Sequence, residues 1–336
     1  MLQLGIIGAG RIGRVHLQGI RTVDGARVKA MADPFLSDET AAWATEQGAA
    51  QVTKDYRQLL ADPEIDAVLI CSSTDTHAPI SLEALAAGKH VFCEKPIDHD
   101  PDRIRAVMQA VERTGLCYQV GFNRRFDHNF RAVRRAVAAG EIGTPQLIRI
   151  TSRDPEPPGL AYIRVSGGLF MDMMIHDFDM VRYLAGCNAA ELYAEAAVLV
   201  DPAIGEAGDV DTAIVTLKME NGALAVIDNS RRAVYGYDQR CEVFGSAGMA
   251  ASGNDAPSTL RLSTARGVYG EKPLWFFLER YLQAYADEVR SFVSAITSRS
   301  PVEVTADDGL QSVRMALAAK RSLREHRPVR LEEIPE

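Results

Sequence analysis

The segment Gly-Gly-Leu-Phe-Met-Asp-Met-Met-Ile-His-Asp-Phe-Asp-Met, residues 167–180, sets three acids and an imidazole into an otherwise apolar stretch. An imidazole titrates near neutral pH, so it can take or give a proton. A neighbouring carboxylate can fix which ring nitrogen carries that proton. Read as a helix at about 100° per residue, Asp172, His176 and Asp179 fall within about 60° of one another. Asp177 falls about 140° from Asp172 and belongs to another face. Met173, Met174, Phe178, Met180, Val181 and Leu184 fill much of the remaining circumference. The pattern predicts a buried helix with one polar stripe, and buried charge is costly unless paired or used. Three readings compete. His176 could be a core histidine bonded to Asp172. Asp-x-x-x-His could hold a divalent metal, although no Cys or Glu-x-x-His pattern accompanies it. The stripe could be an acid–base pair, with Gly167-Gly168 letting the backbone pack close to a ligand.

A second group of residues stands near the N-terminus. Gly8-Ala9-Gly10-Arg11-Ile12-Gly13 follows an apolar run and opens an amphipathic one. In that context Gly8 permits the tight turn, Gly10 a close approach to a pyrophosphate, and Gly13 close helix packing. Asp33, about 20 residues on at the end of the next run, is placed to bind a ribose 2′-hydroxyl. No Arg or Lys follows it directly, so NAD is expected over NADP. Lys95, in Glu94-Lys95-Pro96, ends another apolar run and would point at a ligand at the strand's carboxyl end. A surface lysine salt-bridged to Glu94 is the competing reading. Arg11 and Ile12 at the helix start, Ser73, Thr74 and His77 after Ala67–Cys71, Glu94, and Asn123 after Cys117–Val120 are the further candidate cofactor contacts.

These groups need a scaffold. In the first third, Leu4–Ile7, Val28–Ala32, Ala67–Cys71, His90–Cys93 and Cys117–Val120 alternate with helical patterns, which predicts right-handed βαβ units and a parallel sheet. After Gly121 the runs Leu147–Thr151, Glu191–Val200, Thr212–Met219, Ala223–Asp228 and Gln239–Phe244 are longer, and Asn221-Gly222 marks a hairpin turn. The fold class is therefore an α/β Rossmann domain over 1–120 and an α+β domain over 121–336 with a large, mainly antiparallel, open-faced sheet. Helices at about Trp275–Ile296 and Ala306–His326 close the chain and can pack back on the first domain.

The 336 residues exceed one ordinary core. A formal net charge of −8 argues against nucleic acid and anionic membrane as partners. The five scattered cysteines, with no C-x-x-C, fit a cytoplasmic location and neither disulfides nor zinc.

Gly8–Gly13, Ala32-Asp33-Pro34, Glu94-Lys95-Pro96, and an aspartate and histidine four apart resemble the Gfo/Idh/MocA oxidoreductases along essentially the whole chain. Gly121–Asp127, Thr151–Pro155, the segment 167–180 and Ala233–Arg240 are similar to the inositol 2-dehydrogenases within that family; Met171 departs from the basic residue expected in many relatives. The resemblance implies NAD-dependent oxidation of a secondary hydroxyl of myo-inositol, or a close cyclic polyol, to the ketone, as in inositol catabolism. Another inositol isomer or an aldose such as glucose is the alternative substrate, and a non-catalytic NAD sensor the alternative class. It implies Lys95, Asp172 and His176 as catalytic residues beside the nicotinamide, no metal, and a homo-oligomer, a tetramer. His176 is the expected base, with Lys95 as the other candidate. A polyol needs many polar partners; Arg125, Asp154, Asp179, Tyr235 and Tyr237 are the candidates, the two tyrosines alternating on one strand face. Cross-strand packing or a subunit contact is the competing reading for that pair.

Overall fold

The apolar runs of the first third form parallel strands buried on both faces, as their continuous hydrophobicity demands. The computed structural model describes residues 1–335. It begins β1 (Leu2–Ile7), α1 (Arg11–Ile20), β2 (Ala26–Ala32), α2 (Asp38–Glu46), β3 (Gln51–Thr53), α3 (Arg57–Ala61), β4 (Ala67–Ile70), α4 (Thr74–Ala86), β5 (His90–Glu94), α5 (Pro101–Thr114) and β6 (Tyr118–Gly121). A 3-10 turn, Asn123–Phe126, leads to α6 (His128–Ala138), β7 (Pro145–Arg153), α7 (Leu160–Ile163), α8 (Leu169–Asp172), α9 (Ile175–Ala185), β8 (Ala189–Ala197) and α10 (Pro202–Glu206). Then come β9 (Thr212–Met219), β10 (Leu224–Ser230), β11 (Asp238–Gly245), β12 (Gly248–Ser252), β13 (Arg261–Thr264), β14 (Gly267–Gly270) and α11 (Phe277–Arg280). The last elements are α12 (Leu282–Ser298), α13 (Ala306–Glu325) and β15 (Val329–Arg330).

The chain divides into two compact units, Met1–Phe126 with Leu282–Val313, and Asp127–Tyr281 with Arg314–Pro335. The first unit thus takes in residues 121–126 and 282–313, which lie beyond the boundary at 120 that the sequence suggests. Its sheet runs β3-β2-β1-β4-β5-β6, all parallel. The order reverses between β1 and β4, and ligands of such sheets bind at the carboxyl ends near that point. Leu4, Ile6 and Phe92 from the sheet and Val289 and Phe292 from α12 are all fully buried. The Phe92 and Phe292 rings meet edge-on at 5.9 Å. Burying one such side chain contributes about 2–3 kcal/mol. Helix α12 packs against α1 at Gly19, where a Cβ would make an ordinary contact 3.7 Å from the Ala286 Cα.

The second unit is built on a seven-stranded sheet, β12-β11-β7-β10-β9-β8-β15. Only β7 and β10 pair in parallel; the other neighbours are antiparallel. Asn221-Gly222 makes the β9–β10 turn, with Gly222 at φ +88°. Helix α9 packs on β7, and its Ile175, Phe178, Met180, Val181 and Leu184 are fully buried. Alternation along the strands leaves Leu147, Ile214, Leu224 and Phe244 between 40 % and 52 % exposed. The expected helix at Trp275–Ile296 is broken in two at Tyr281, whose φ of −109° and ψ of 13° leave the helical region between α11 and α12. Among the described residues, no helix is long and apolar enough to cross a membrane.

Candidate active site

The glycine loop is built as its spacing requires. Gly8 sits at φ +106°, and a Cβ there would lie 2.5 Å from the Cys71 carbonyl oxygen. A Cβ on Gly13 would lie 2.0 Å from the Gly8 oxygen. At Gly10 a Cβ would meet nothing within 4 Å, so the backbone is open where a ligand would approach. Gly10 caps α1 without a side-chain hydrogen bond, and the first turn carries no acid. The first-turn N–H groups and the positive end of the helix dipole are therefore left for an anion. These features fit the pyrophosphate of a dinucleotide. Arg11 is exposed and Ile12 half-buried at the helix start.

Asp33, half-buried at the end of β2, also braces this loop. Its carboxylate accepts from the Ala9 N–H at 2.7 Å and from the Phe35 N–H at 2.8 Å. Ser73 is the exposed cap of α4, and Thr74 its half-buried first residue. Asn123 is buried in the turn after β6. The candidate cofactor residues thus stand at the carboxyl ends of β1, β2, β4, β5 and β6 in one sheet.

Two of them face inward. Glu94 is buried, and its Oε1 lies 2.7 Å from Nε2 of His16 on α1. His77 is 2 % exposed, with Nδ1 2.7 Å from the Pro96 oxygen and Nε2 3.0 Å from the Ser72 oxygen. Lys95, half-buried, stands between Glu94 and Pro96.

The segment that begins at Gly167 departs from the regular helix its periodicity suggests. Asp172 ends α8, His176 lies in α9, and Met173 and Met174 form a joint. The joint takes one wide step, Met174 N–H to Leu169 O at 2.9 Å, and one tight step, Asp177 N–H to Met174 O at 2.9 Å. A single uniform helical projection therefore fails across residues 172–176, because Asp172 and His176 belong to separate helices. His176 is half-buried and Asp179 is 1 % exposed, both on α9. Asp177 faces away, as expected: fully buried, it accepts from Asn229 Nδ2 at 2.9 Å.

Asp172 is supported by residues that the sequence did not point to. Its Oδ1 accepts from the Tyr162 hydroxyl at 2.8 Å. Its Oδ2 stands 3.4 Å from Nη1 of Arg231, whose side chain is 1 % exposed. A second Arg231 nitrogen lies 3.5 Å from Asp209. Asp209 in turn accepts from the Leu169 N–H at 3.0 Å, at the start of α8. This changes the role of Gly167-Gly168. Both have φ above +80°, and a Cβ on Gly168 would lie 2.6 Å from Asp209 Oδ1. Gly168 makes room for the protein's own carboxylate. Lys320 holds the Gly167 oxygen at 2.6 Å, and burial lowers its pKa, with Asp209 opposing. No local pattern marks Arg231, Asp209 or Lys320, because each acts on a segment remote in sequence.

The polyol candidates scatter more widely. Arg125 is buried in the first unit, with Nη2 donating to Asp308 at 2.8 Å. Asp154 follows β7, and its N–H donates to the Ser230 oxygen at 3.0 Å. Tyr235 and Tyr237 do not share a strand face, because β11 begins only at Asp238 and Gly236, at φ +131°, turns the chain between them. The Tyr235 hydroxyl donates to Asp238 at 2.6 Å. Tyr237 is buried edge-on against Tyr281, at 5.8 Å between centroids.

Among the described residues, two sets of three metal-type ligand atoms lie within 4.8 Å of one another: His16, Glu94 and Glu288, and Asp127, His128 and Asp255. The Asp172–His176 pair belongs to neither. The five cysteines are free.

Comparison with known proteins places these observations. Residues 2–122 match the oxidoreductase family, NAD-binding Rossmann fold, and residues 130–251 match the GFO/IDH/MocA C-terminal domain. The chain is 52 % identical to the uncharacterized oxidoreductase YrbE of Bacillus subtilis, over 98 % of this chain and 96 % of that one. It is 46 % identical to the myo-inositol 2-dehydrogenase of Thermotoga maritima, over 99 % of both chains. The crystal structure of the scyllo-inositol dehydrogenase of Lactobacillus casei with NAD(H) and scyllo-inositol superposes at a TM-score of 0.91, with 31 % identity and 99 % coverage of each chain. With its dinucleotide loop in one unit and its open sheet in the other, the chain belongs to the Gfo/Idh/MocA family of NAD-binding oxidoreductases.

Proposed function

We propose that this protein oxidises a secondary hydroxyl of myo-inositol, or of a close cyclic polyol, to the ketone. The observation that carries this reading is the 46 % identity, over 99 % of both chains, to a myo-inositol 2-dehydrogenase. The Gly8–Gly13 loop and Asp33 would hold NAD, which would supply the hydride acceptor for the hydroxyl-bearing carbon. Every other role falls to the chain. His176 takes the hydroxyl proton, for which an imidazole's usual pKa is suited. Asp172, braced by Tyr162 and Arg231, orients the imidazole. Lys95 stabilises the oxygen as negative charge gathers on it. Asp179 and Asp154 are the acceptors we assign to the remaining hydroxyls.

The test is an NADH-absorbance assay with myo-, scyllo- and D-chiro-inositol and glucose. Turnover is expected on at least one inositol and weaker or none on glucose. His176→Ala should lower turnover by about 100-fold while leaving NAD affinity nearly unchanged. Full turnover in that variant removes His176 from the chemistry.

We further propose a homotetramer. The exposed apolar row Leu147, Ile214, Leu224 and Phe244 on the large sheet favours burial against another copy. Light scattering on the purified protein decides it, and a monomeric mass overturns it. Free cysteines throughout fit a reducing cytoplasm.

A further inference from the structure

The residues on either side of Lys95 are each held by a buried histidine. On one side is Glu94, on the other Pro96. His16 reaches Glu94 from α1 at 2.7 Å, and its ring has no exposure. The edges of Phe92 and Tyr285 pack against that ring at 5.2 and 5.6 Å, so it is confined. The Glu94 carboxylate is confined as well, since a Cβ on Gly121 would lie 3.0 Å from its Oε2. His77 reaches the Pro96 oxygen from α4 at 2.7 Å and the Ser72 oxygen at 3.0 Å. A carbonyl oxygen only accepts, so satisfying both requires a proton on each ring nitrogen.

We propose that His16 and His77 form a two-sided clamp that aims Lys95, which makes them positioning residues for the oxidation. The proposal rests on the reading of Lys95 as a catalytic group. Its physical basis is that a long lysine side chain carries much rotamer freedom, and a flexible backbone beneath it would add to the error in placing the ammonium. The clamp holds the Glu94 side chain on one side and the Pro96 backbone carbonyl on the other.

The ionic state of the surroundings is consistent with this. Burial pushes the His77 pKa down, but the Cys93 sulfur and the two carbonyls more than offset this and raise it to about 9. Glu288 on α12 stands 3.9 Å from His16 Nε2, fully buried, with no hydrogen-bond partner for either carboxylate oxygen. Burial, reinforced by Glu94, holds its pKa well above the usual glutamate range. At 2.7 Å Glu94 is within hydrogen-bond reach of His16, and Glu288 is not. The other titratable groups facing this cluster are Cys71 after β4, Cys93 on β5, Tyr118 on β6 and Tyr285 on α12; burial pushes the Cys71 thiol and the Tyr118 phenol up. His16, Glu94 and Glu288 also have the donor set of a cation site. The 2.7 Å His16–Glu94 distance is that of a hydrogen bond and needs only a proton.

The test compares His16→Leu, His16→Gln and His77→Gln with the parent protein, using myo-inositol and NAD across pH. Gln at 16 keeps an N–H donor at similar reach, and Leu does not. His16→Leu should lower kcat by about 10- to 100-fold with little change in KM for NAD, and should shift a limb of the kcat–pH profile. His16→Gln should recover most of that loss. His77→Gln, which keeps donors but not the ring, should show a smaller fall of the same kind. Equal damage in the Leu and Gln variants at 16 would reduce His16 to packing and overturn the clamp. So would parent-like kcat and pH profile in His16→Leu, or one bound divalent metal per chain that His16→Leu abolishes. Should the parent turn over no cyclic polyol, the functional reading fails on its own. The clamp is then judged by NMR of labelled lysine: the Lys95 pKa must move in His16→Leu and return in His16→Gln, and an unmoved value rejects it.

Discussion

The two units prepare chemistry in different ways. In the first, the dinucleotide loop is backbone geometry: Gly8, Gly10 and Gly13 act by lacking a side chain, and the contacts they permit lie within a few residues or on the adjacent strand. In the second, the candidate acid–base residues are side chains on two short helices with an irregular joint, held by Arg231, Asp209 and Lys320 from far along the chain. A local motif can specify the first arrangement. The second exists only when remote segments have come together. A helical stripe is therefore a poor guide to how its residues are held.

The sharpest way to probe the backbone half of this contrast is Gly13→Val. Its Cβ would enter the Gly8 carbonyl, so we expect more than about 4 kcal/mol of destabilisation and no NAD binding, read by urea unfolding and calorimetry. Retained NAD binding would mean that the loop adapts and backbone shape is not what defines it. The side-chain half is tested by Arg231→Met. Removing the buried cation leaves Asp172 and Asp209 facing each other's charge, and we expect about 3 kcal/mol lost together with much of the turnover. Unchanged stability and turnover would show that the second unit holds its acid without remote help.

A smaller effect concerns Glu288. Because its folded pKa is raised, the folded state keeps a proton that the unfolded state releases. Its contribution to stability is full below the ordinary glutamate pKa of about 4.3 and falls as pH rises towards the folded value. Glu288→Gln should therefore raise Tm at pH 7 and flatten the decline of Tm above pH ~5. A Tm–pH curve parallel to the parent's would mean that Glu288 is ionised in the fold. Asp33→Ser is expected to have the mildest consequence, relaxing the preference for NAD over NADP by about tenfold. An unaltered ratio would mean that the ribose is read elsewhere and that Asp33 serves only the Ala9 and Phe35 N–H groups.

Much of the fold is legible in the sequence for a physical reason. Strand Thr212–Met219 is rich in β-branched and apolar residues, Ala67–Ile70 is continuously apolar, and Asn221-Gly222 allows one tight turn, so local pattern suffices. Tyr235 and Tyr237 mislead because alternation across Gly236 looks like a strand, while the glycine's φ breaks it. Helix α12 shows an apolar face in its sequence, but that face does not say that α1 and Phe92 will cover it.

What the sequence determined by itself is the set of groups able to do chemistry and the periods of the elements carrying them, because both depend on covalent structure and short-range sterics. Tertiary structure alone decided that Arg231 is buried against Asp172, that Asp209 fills the space beside Gly168, and that His16 meets Glu94. Those pairings depend on which distant surfaces exclude water together. That is a property of the packed chain, and no short stretch of it carries the information.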